Sequence, residues 1–346
     1  MIKRFPTPTA AAAALLACAG AAFADGAAHA PLIVSASNTT TNALLVFDAS
    51  GRPLRQIPTQ GQGGVAGNAG GVTAAGGRVA VVNFGSSNVS VFVRDERELL
   101  RLERVVPTGG SPVSVAFGAD HLYVLTTTHV ESHRIGPWGV APTPDGVGQL
   151  VRADGSAAQV GVVRGELIVS EKNNAIESVK LGADGAVAGA AALVANIPAN
   201  VNAPFGLATR GDDAYVTIAH ADEISLVRGD AVLTVTGSGT QHAPCWVALD
   251  GPFLFSANSP SRSVSRYAVY GQKIVQDAAV VAQFTGNPTD IAYAHGVAAV
   301  VDANASGSRV SVFKVDEDGN FALQGVATLA SPATNGVAVI GADDWR

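Results

Sequence analysis

Residues 215–230 read YVTIAHADEISLVRGD, and this stretch decides the fold class. An apolar run at 215–218 is followed by a short polar loop and by a second, alternating run at 224–227. Both runs have the β-branched and aromatic composition of strands, and the turn signal Arg228-Gly229-Asp230 supports a tight hairpin after them. The stretch therefore predicts two antiparallel strands in a turn-rich β-fold.

The same pattern occurs seven times along the chain. Successive copies are 40 to 47 residues apart, measured between the last residues of their first runs, which are Ser37, Asn83, Thr126, Glu171, Ile218, Asn258 and Asp302. A four-stranded propeller blade needs ~40–45 residues. A β-sandwich lacks so long a period, and a β-helix repeats over much shorter distances. The repeat thus predicts an all-β, seven-bladed β-propeller that occupies residues 25–346 as a single domain.

The ends of the repeat predict how the ring closes. The chain enters on the second strand of a blade, at residues 32–34, and finishes on an unpaired first strand, at 336–340. Pairing the N- and C-terminal strands in one blade would remove the open edge of the ring. The prolines at 137, 142 and 144 disfavour a regular fourth strand, so we expect a longer irregular connection in the third or fourth blade.

The N-terminus has the pattern of a secretory signal peptide. Lys3 and Arg4 precede a small apolar run at 10–22, and Ala22-Phe23-Ala24 is a suitable cleavage site. We expect residues 1–24 to be removed, so that the mature protein begins at Asp25 and is periplasmic or secreted.

A second way of processing the N-terminus stays open. Residues 15–18, Leu-Leu-Ala-Cys, resemble a bacterial lipoprotein box that would make Cys18 a lipidated N-terminus. With cleavage before Asp25, only Cys245 survives, so no intramolecular disulfide can form. The apolar run is too short to span a bilayer, which takes ~20 residues, and we expect no membrane span elsewhere.

Composition excludes some partners. The chain is 47% hydrophobic and only 14% charged, which suits a large folded domain rather than a disordered chain. The net charge of −6 leaves no basic stripe that could neutralise a phosphate backbone. We therefore expect no nucleic-acid partner, and we expect a monomer.

Several segments resemble known propellers. Residues 215–218 and 255–258 resemble the "YVTN" repeat of secreted and periplasmic seven-bladed propellers. Residues 243–248 (APCWVA) and 204–206 (PFG) are similar to recurring segments of the bacterial lactonase-like superfamily, which includes 6-phosphogluconolactonase and the carboxymuconate-lactonising enzymes. The resemblance covers essentially the whole mature chain and implies the propeller fold.

The resemblance also implies where catalytic residues would stand. In that superfamily the chemistry belongs to a Gly-Pro-Arg-His segment on an inner strand and to a glutamate that ends a neighbouring run. Glu171 ends the run LIVSE at 167–171 and matches that glutamate. No blade contains the Arg-His pair: the positions that match its histidine hold Ser114, Gly206, Trp246 and Asp290.

One face of the predicted ring gathers polar side chains. The starts of inner strands and the loops between second and third strands lie together on that face, and they bring Asn83, Glu171, Lys172, Trp246, Asn258, Arg262, Asp290 and Asp302 around the channel. Such a mixture could bind a small polar or anionic molecule or a protein partner. Alternatively, each carboxylate or asparagine only satisfies loop amides at a strand end.

Other motifs predict no metal site and no cofactor. His129 and His133 lie four apart on a predicted strand, roughly 13 Å from each other at ~3.3 Å per residue, too far to share an ion. The glycine-rich stretch 61–67 has the wrong spacing for a dinucleotide turn and is expected to be a flexible loop. No C-x-x-C-H haem site occurs.

These observations predict an exported propeller that binds a ligand or partner on its channel face without catalysis. The alternative is a lactonase-like hydrolase of a sugar or muconate lactone. In it Glu171 would activate water, while Lys172, Arg262 or Arg309 would hold an anionic group of the substrate.

Overall fold

A computed structural model describes residues 30–95, 99–195 and 202–341 of the chain. These residues form seven antiparallel sheets arranged as the blades of a β-propeller, which confirms the predicted fold. Helical structure in the described ranges is limited to two 3-10 turns, Phe84–Ser86 and Ala219–Ala221. The predicted signal peptide and Cys18 lie outside the described residues.

The strands are numbered in chain order, and each blade is given from its inner strand outward. Blade 1 contains β29 (Asn335–Ile340), β1 (Leu32–Ala36), β2 (Ala43–Asp48) and β3 (Pro53–Pro58). Blade 2 contains β4 (Val72–Ala75), β5 (Arg78–Asn83), β6 (Asn88–Asp95) and β7 (Leu99–Pro107). Blade 3 contains β8 (Pro112–Phe117), β9 (His121–Thr126), β10 (His129–Gly136) and two short pieces, β11 (Gly139–Val140) and β12 (Gly146–Gln149).

The remaining four blades have the same order. Blade 4 contains β13 (Ala157–Val163), β14 (Glu166–Glu171), β15 (Ala175–Lys180) and β16 (Ala192–Leu193). Blade 5 contains β17 (Pro204–Arg210), β18 (Asp213–Ile218), β19 (Glu223–Arg228) and β20 (Ala231–Gly237). Blade 6 contains β21 (Pro244–Asp250), β22 (Phe253–Asn258), β23 (Ser263–Tyr270) and β24 (Lys273–Gln283). Blade 7 contains β25 (Asn287–Ala294), β26 (Val297–Asn304), β27 (Gly307–Val315) and β28 (Phe321–Leu329).

Blade 1 closes the ring with strands from both chain ends, as the sequence predicts. β1 pairs antiparallel with β29 in a register that sets Leu32 opposite Ile340 and Val34 opposite Ala338. The Ser35 hydroxyl adds a hydrogen bond of 2.6 Å to the Gly336 carbonyl. Because β29 is hydrogen-bonded to β1, the inner edge of β1 is paired and blade 1 has four strands drawn from both parts of the chain.

Packing between blades explains the burial pattern. Second strands have mostly apolar centres and are buried on both faces, as in β18, where residues 214–218 are all buried. Outermost strands alternate instead, as in β3, where Ile57 is buried and its neighbours are exposed. The hydrophobic core is thus a series of layers between adjacent blades, which holds each inner strand at the channel.

Blade 3 is the irregular one, in line with its prolines. Its fourth strand is broken into β11 and β12, which pair with opposite ends of β10. Over the three described ranges, no helix is long and apolar enough to cross a membrane.

Candidate functional site

A cavity of about 390 Å³ occupies the centre of the ring. All seven inner strands contribute to its lining, and most of the lining side chains are aliphatic. Small-molecule sites commonly have volumes of ~300–1,000 Å³ and mostly apolar walls with a few polar groups. The cavity is therefore large enough for a small organic ligand.

The two ends of this cavity differ in access to solvent. At the end where the inner strands begin, Trp246 and Asp290 are buried. At the end where the strands finish, Ala75 is exposed and Phe117 and Tyr293 are partly exposed. The cavity therefore opens at the second end and is closed at the first.

The closed end is covered by residues 59–71, which join β3 to β4 and are called the cap loop below. The Asn68 side chain donates 2.6 Å to the Val113 carbonyl of blade 3, and the Ala69 amide donates 3.1 Å to the Ala158 carbonyl of blade 4. In blade 1, the Asn38 side chain donates 2.8 Å to the Val65 carbonyl. The glycine-rich stretch 61–67, expected to be a flexible loop, is therefore part of a segment anchored on several blades.

Trp246 lines the cavity where the cap loop covers it. Its indole N–H donates 3.1 Å to the Asn68 carbonyl, and its ring meets that of Phe205 edge to face with 5.3 Å between centroids. The indole thus presents an apolar surface to the cavity while its polar atom is satisfied by the cap.

Asp290 is the second predicted site residue in the lining. Its Oδ1 accepts 2.9 Å from the Ile291 amide, and its Oδ2 accepts 3.0 Å from the Val337 amide on β29. Burial raises the pKa of Asp290 to about 7, although both amide hydrogen bonds act to lower it. The carboxyl group can therefore gain or lose a proton close to neutral pH.

A β-bulge at the start of most inner strands creates a recurring position at the closed end. The register of β8, β13 and β25 shifts just before Ser114, Gln159 and Asp290 respectively. Each of these side chains accepts a hydrogen bond from the next inner strand, at Val160, Leu207 and Val337, with lengths of 3.3, 2.6 and 3.0 Å. The side chain at this position therefore connects its blade to the neighbouring blade by a hydrogen bond.

Gln159 is a lining residue that the sequence interpretation missed. Ser114, Gly206, Trp246 and Asp290 each stand two residues after a proline, but the Gln159 strand begins with two alanines, so this sequence marker is absent. The remaining sequence signal for Gln159 is its 45-residue spacing from Ser114.

Gly206 stands where a catalytic histidine was sought in blade 5. A Cβ atom there would lie 2.2 Å from the Cys245 carbonyl oxygen, a separation that no side chain tolerates. β17 and β21 approach too closely at this point for any residue except glycine.

Glu171 and Lys172 lie beside the closed end of the cavity, not in its lining. Glu171 is fully buried; its Oε2 accepts 2.8 Å from Ser156, and its Oε1 has no partner among the described residues. Burial raises the pKa of Glu171 to about 8, and the nearby carboxylates of Glu177 and Asp154 add to this rise. Glu171 is therefore largely protonated at neutral pH.

Lys172 connects blade 4 to the cap loop. Its ammonium group donates to the Gly67 carbonyl and, at 3.3 Å, to the Ala157 carbonyl. Burial lowers the pKa of Lys172. The side chain therefore helps to hold the cap in place.

The other predicted site residues do not reach the cavity. Asn83, Asn258 and Asp302 are buried at the ends of second strands, where Asn42, Ser265 and the Gly286 amide are among their hydrogen-bond partners. Arg262 is exposed and donates 3.3 Å to the Asn287 side chain. Of the eight predicted residues, the structure therefore brings Trp246 and Asp290 together in the lining and distributes the others around it.

His129 and His133, whose spacing disfavoured a shared metal, flank Glu131 on buried β10. Their Nε2 atoms lie 2.9 and 3.1 Å from the two carboxylate oxygens, and the Gly109 amide donates 2.7 Å to the same carboxylate. Burial acts to raise the pKa of Glu131, but these hydrogen bonds outweigh it and lower the pKa to about 2. Across the described ranges, no group of three or more His, Cys, Asp or Glu side chains is arranged to hold a metal ion.

Comparison with solved structures confirms the fold. A candidate 6-phosphogluconolactonase from Bacteroides uniformis matches with a TM-score of 0.65 and 15% identity, over 90% of this chain and 99% of its own. A protein from Lactobacillus plantarum gives 0.64 and 14%, over 90% and 99%. Apo AztD from Citrobacter koseri gives 0.54 and 12%, over 90% and 98%. No protein-family model and no curated protein matches the chain.

These similarities define the class of protein. The chain is a seven-bladed β-propeller whose structural neighbours include lactonase-like propellers. At 12 to 15% identity the likeness concerns the fold alone, so the function has to be argued from the cavity.

Proposed function

We propose that this propeller binds a small molecule in its central cavity without transforming it. The observation that carries the proposal is a cavity of about 390 Å³ that is open at one end and closed at the other by the cap loop. Asp290 and Gln159 are polar residues at its closed end that can bind and orient a ligand, and Trp246 adds an apolar surface there.

The lining supports a small ligand whose polar group is neutral or cationic. Among the described residues that line the cavity, Asp290 and Tyr293 are the titratable ones, and no lysine, arginine or histidine takes part. An anionic ligand would bring its charge beside the Asp290 carboxyl group without a cation to offset desolvation. Of the small polar or anionic ligands that the sequence predicts, we therefore propose the neutral ones, and we add cationic ligands.

The hydrolase alternative is favoured by the resemblance of Glu171 to a lactonase glutamate and by the neighbouring lactonase structures. The surroundings of Glu171 give little support to base-catalysed hydrolysis. A general base must be ionised at the working pH, whereas burial keeps the Glu171 carboxyl protonated at pH 7. Lys172 bonds to the cap loop and Arg309 pairs with Asp302, so neither cation is placed to hold a substrate anion.

Three probes of the same skeleton test the ligand class. In calorimetric titrations, we expect 3-phenylpropanol and 3-phenylpropylamine each to bind the central cavity more tightly than 3-phenylpropanoate does. Ala292→Phe places a ring in the cavity lining and should abolish binding of the alcohol, whereas Ala322→Phe on exposed β28 should not. Equal binding of the alcohol by the wild type and Ala292→Phe would contradict the proposal.

The charge of Asp290 gives the proposal a second readout. Because the pKa of Asp290 is about 7, its ionised fraction rises about tenfold from pH 6 to pH 8, and affinity for the amine should rise by about that factor. In Asp290→Asn the amine affinity should no longer change with pH over this range. A pH dependence that survives the substitution would exclude Asp290 as the anchor.

We also propose that the protein works outside the cytoplasm, on the basis of the N-terminal pattern. Sequencing of the mature protein should begin at Asp25. A chain beginning at a lipid-modified Cys18 would instead place the same propeller on a membrane surface.

A further inference from the structure

A second cavity, of about 350 Å³, lies at the side of the ring. Arg104 on β7 of blade 2 forms part of it, and the β10–β11 hairpin of blade 3 forms the rest, with Arg134 and Trp138. This hairpin is where the fourth strand of blade 3 is broken, so the cavity coincides with a departure from the repeat. In repeat proteins such departures are often where binding loops are found.

Trp138 projects from the turn of that hairpin. It is 89% exposed, the highest value among the large apolar side chains of the described residues. Its neighbour Gly139 has a φ of +90°, and a Cβ there would lie 2.9 Å from the Glu103 carboxyl carbon, so the hairpin is seated tightly on blade 2. Trp138 is therefore an exposed aromatic surface on a fixed support.

The charges around this cavity leave one cation without a carboxylate. Glu103 pairs with Arg78 at 3.2 Å. The carboxylates of Asp145 and Asp184 lie 3.5 and 3.6 Å from Arg134. The described residues provide no such partner for Arg104.

Arg104 also has an unused hydrogen-bond donor. One of its terminal nitrogens donates 3.3 Å to the Trp138 carbonyl. Its Nε is buried, and no described residue accepts its proton. A buried donor without an acceptor is costly, so the described residues satisfy the Arg104 guanidinium only in part.

We propose that this cavity is a second binding site, which takes a small organic carboxylate with a flat apolar body. The carboxylate accepts hydrogen bonds from the Arg104 guanidinium, and the flat body packs on the Trp138 indole. The site prefers the opposite charge to the central channel, so it does not depend on the ligand proposed there.

The test uses 3-phenylpropanoate, titrated by calorimetry and by quenching of tryptophan fluorescence. We expect the wild type to bind it at least about tenfold more tightly at this site than 3-phenylpropanol, because hydrogen bonds to charged groups are the stronger ones. Arg104→Gln should weaken binding about tenfold or more. Trp138→Phe should remove the fluorescence response and keep calorimetric affinity within about threefold, whereas Trp138→Ala should lose about tenfold.

Two controls separate this site from the rest of the surface. Tyr270→Ala removes another exposed aromatic side chain, 65% exposed, and should leave binding unchanged. Ala292→Phe fills the central cavity and should also have no effect. Absence of carboxylate binding, Arg104→Gln binding as tightly as the wild type, or equal affinity of Ala292→Phe for 3-phenylpropylamine and 3-phenylpropanoate would overturn the proposal, provided that melting curves show each variant folded.

Discussion

At the scale of single residues, Glu171 shows how burial can change the role of a carboxyl group. Its Oε1 has no partner among the described residues, and the group cannot ionise cheaply in that position. A buried neutral carboxyl group can donate a hydrogen bond, but it does not activate water. The same group that matches a lactonase glutamate is thus better suited to structure than to catalysis.

This protonation predicts how stability varies with pH. The pKa of Glu171 is raised from its ordinary value of 4.5 to about 8, so the unfolded chain releases its proton at lower pH than the native state does. Stability should therefore fall as pH rises from 4.5 to 8. Glu171→Gln stays neutral, so it should gain about 3 to 5 kcal/mol relative to the wild type between pH 5 and pH 9 in urea denaturation.

The exposed Glu317 offers the matched control, because Glu317→Gln should give no comparable gain over that range. A constant difference between wild type and Glu171→Gln at all pH values would mean that Glu171 is ionised in the native state.

Glu131 predicts the opposite dependence. Hydrogen bonds from His129, His133 and the Gly109 amide outweigh burial and lower the pKa of Glu131 from 4.5 to about 2. The stabilisation is therefore complete above pH 4.5 and is lost as pH falls towards 2, which amounts to about 3 kcal/mol. The free energy of unfolding of Glu131→Gln should be about 3 kcal/mol below that of the wild type at pH 7, and it should not show this additional loss in acid. Acid denaturation of the wild type and of Glu131→Gln, monitored by circular dichroism, measures this acid-dependent stability. Equal stability of the two proteins at pH 7 would contradict the lowered pKa of Glu131.

For single residues, the sequence predicted which face of the ring they lie on better than it predicted which of them line the cavity. Trp246 and Asp290 were found because they stand on inner strands, which border the cavity. Asn83 and Asn258 share the same face but end second strands, one strand farther out, where hydrogen bonds within the blades occupy them. Periodicity places a residue on a face, but distance from the axis depends on which strand carries it.

At the scale of structural elements, the cap loop could not be predicted from its composition. Glycine-rich stretches without a motif indicate flexibility, whereas the partners that hold residues 59–71 lie on distant blades. Such tertiary contacts leave no local pattern. The break in the fourth strand of blade 3 was predictable, because proline removes a backbone donor at a fixed position.

Arg94 on β6 links blade 2 to Ala30 and Gly341, which flank β1 and β29. Its guanidinium donates 2.6 Å to the Gly341 carbonyl and 2.8 Å to the Ala30 carbonyl. Arg94→Met keeps the apolar stem and removes both bonds, so we expect a loss of about 2 to 4 kcal/mol. Hydrogen exchange should accelerate in β1 and β29 before other strands. Arg52→Met is the control, because its side chain is 73% exposed, and it should cost less than about 1 kcal/mol. An equal loss of stability in Arg52→Met and Arg94→Met would show that the Arg94 hydrogen bonds do not stabilise the ring closure.

At the scale of the whole molecule, the ring depends on pairing between its two chain ends. The seven-fold period predicted this closure correctly, because a chain that starts on a second strand must borrow its first strand from the other end. The described part of β29 is largely buried, with Val337, Ala338, Val339 and Ile340 all at most 6% exposed.

Removal of residues 332–346 should therefore open the ring. The truncated chain loses β29 and leaves the inner edge of β1 unpaired, so misfolding or aggregation is expected rather than a small loss of stability. Size-exclusion chromatography and thermal unfolding of the truncated protein measure the effect. A monomer with an unchanged melting curve would show that closure does not support the fold.

We expect the central cavity to bind a ligand and to perform no hydrolysis. The most direct test is the initial rate of hydrolysis of a sugar lactone and a muconate lactone by the wild type and by Glu171→Gln, with both variants shown to be folded. Without an ionised base beside a held substrate, both rates should equal that of buffer, because general-base assistance alone contributes ~10²- to 10⁴-fold. Saturable turnover by the wild type that Glu171→Gln abolishes would show instead that the protein is a hydrolase with Glu171 as its base.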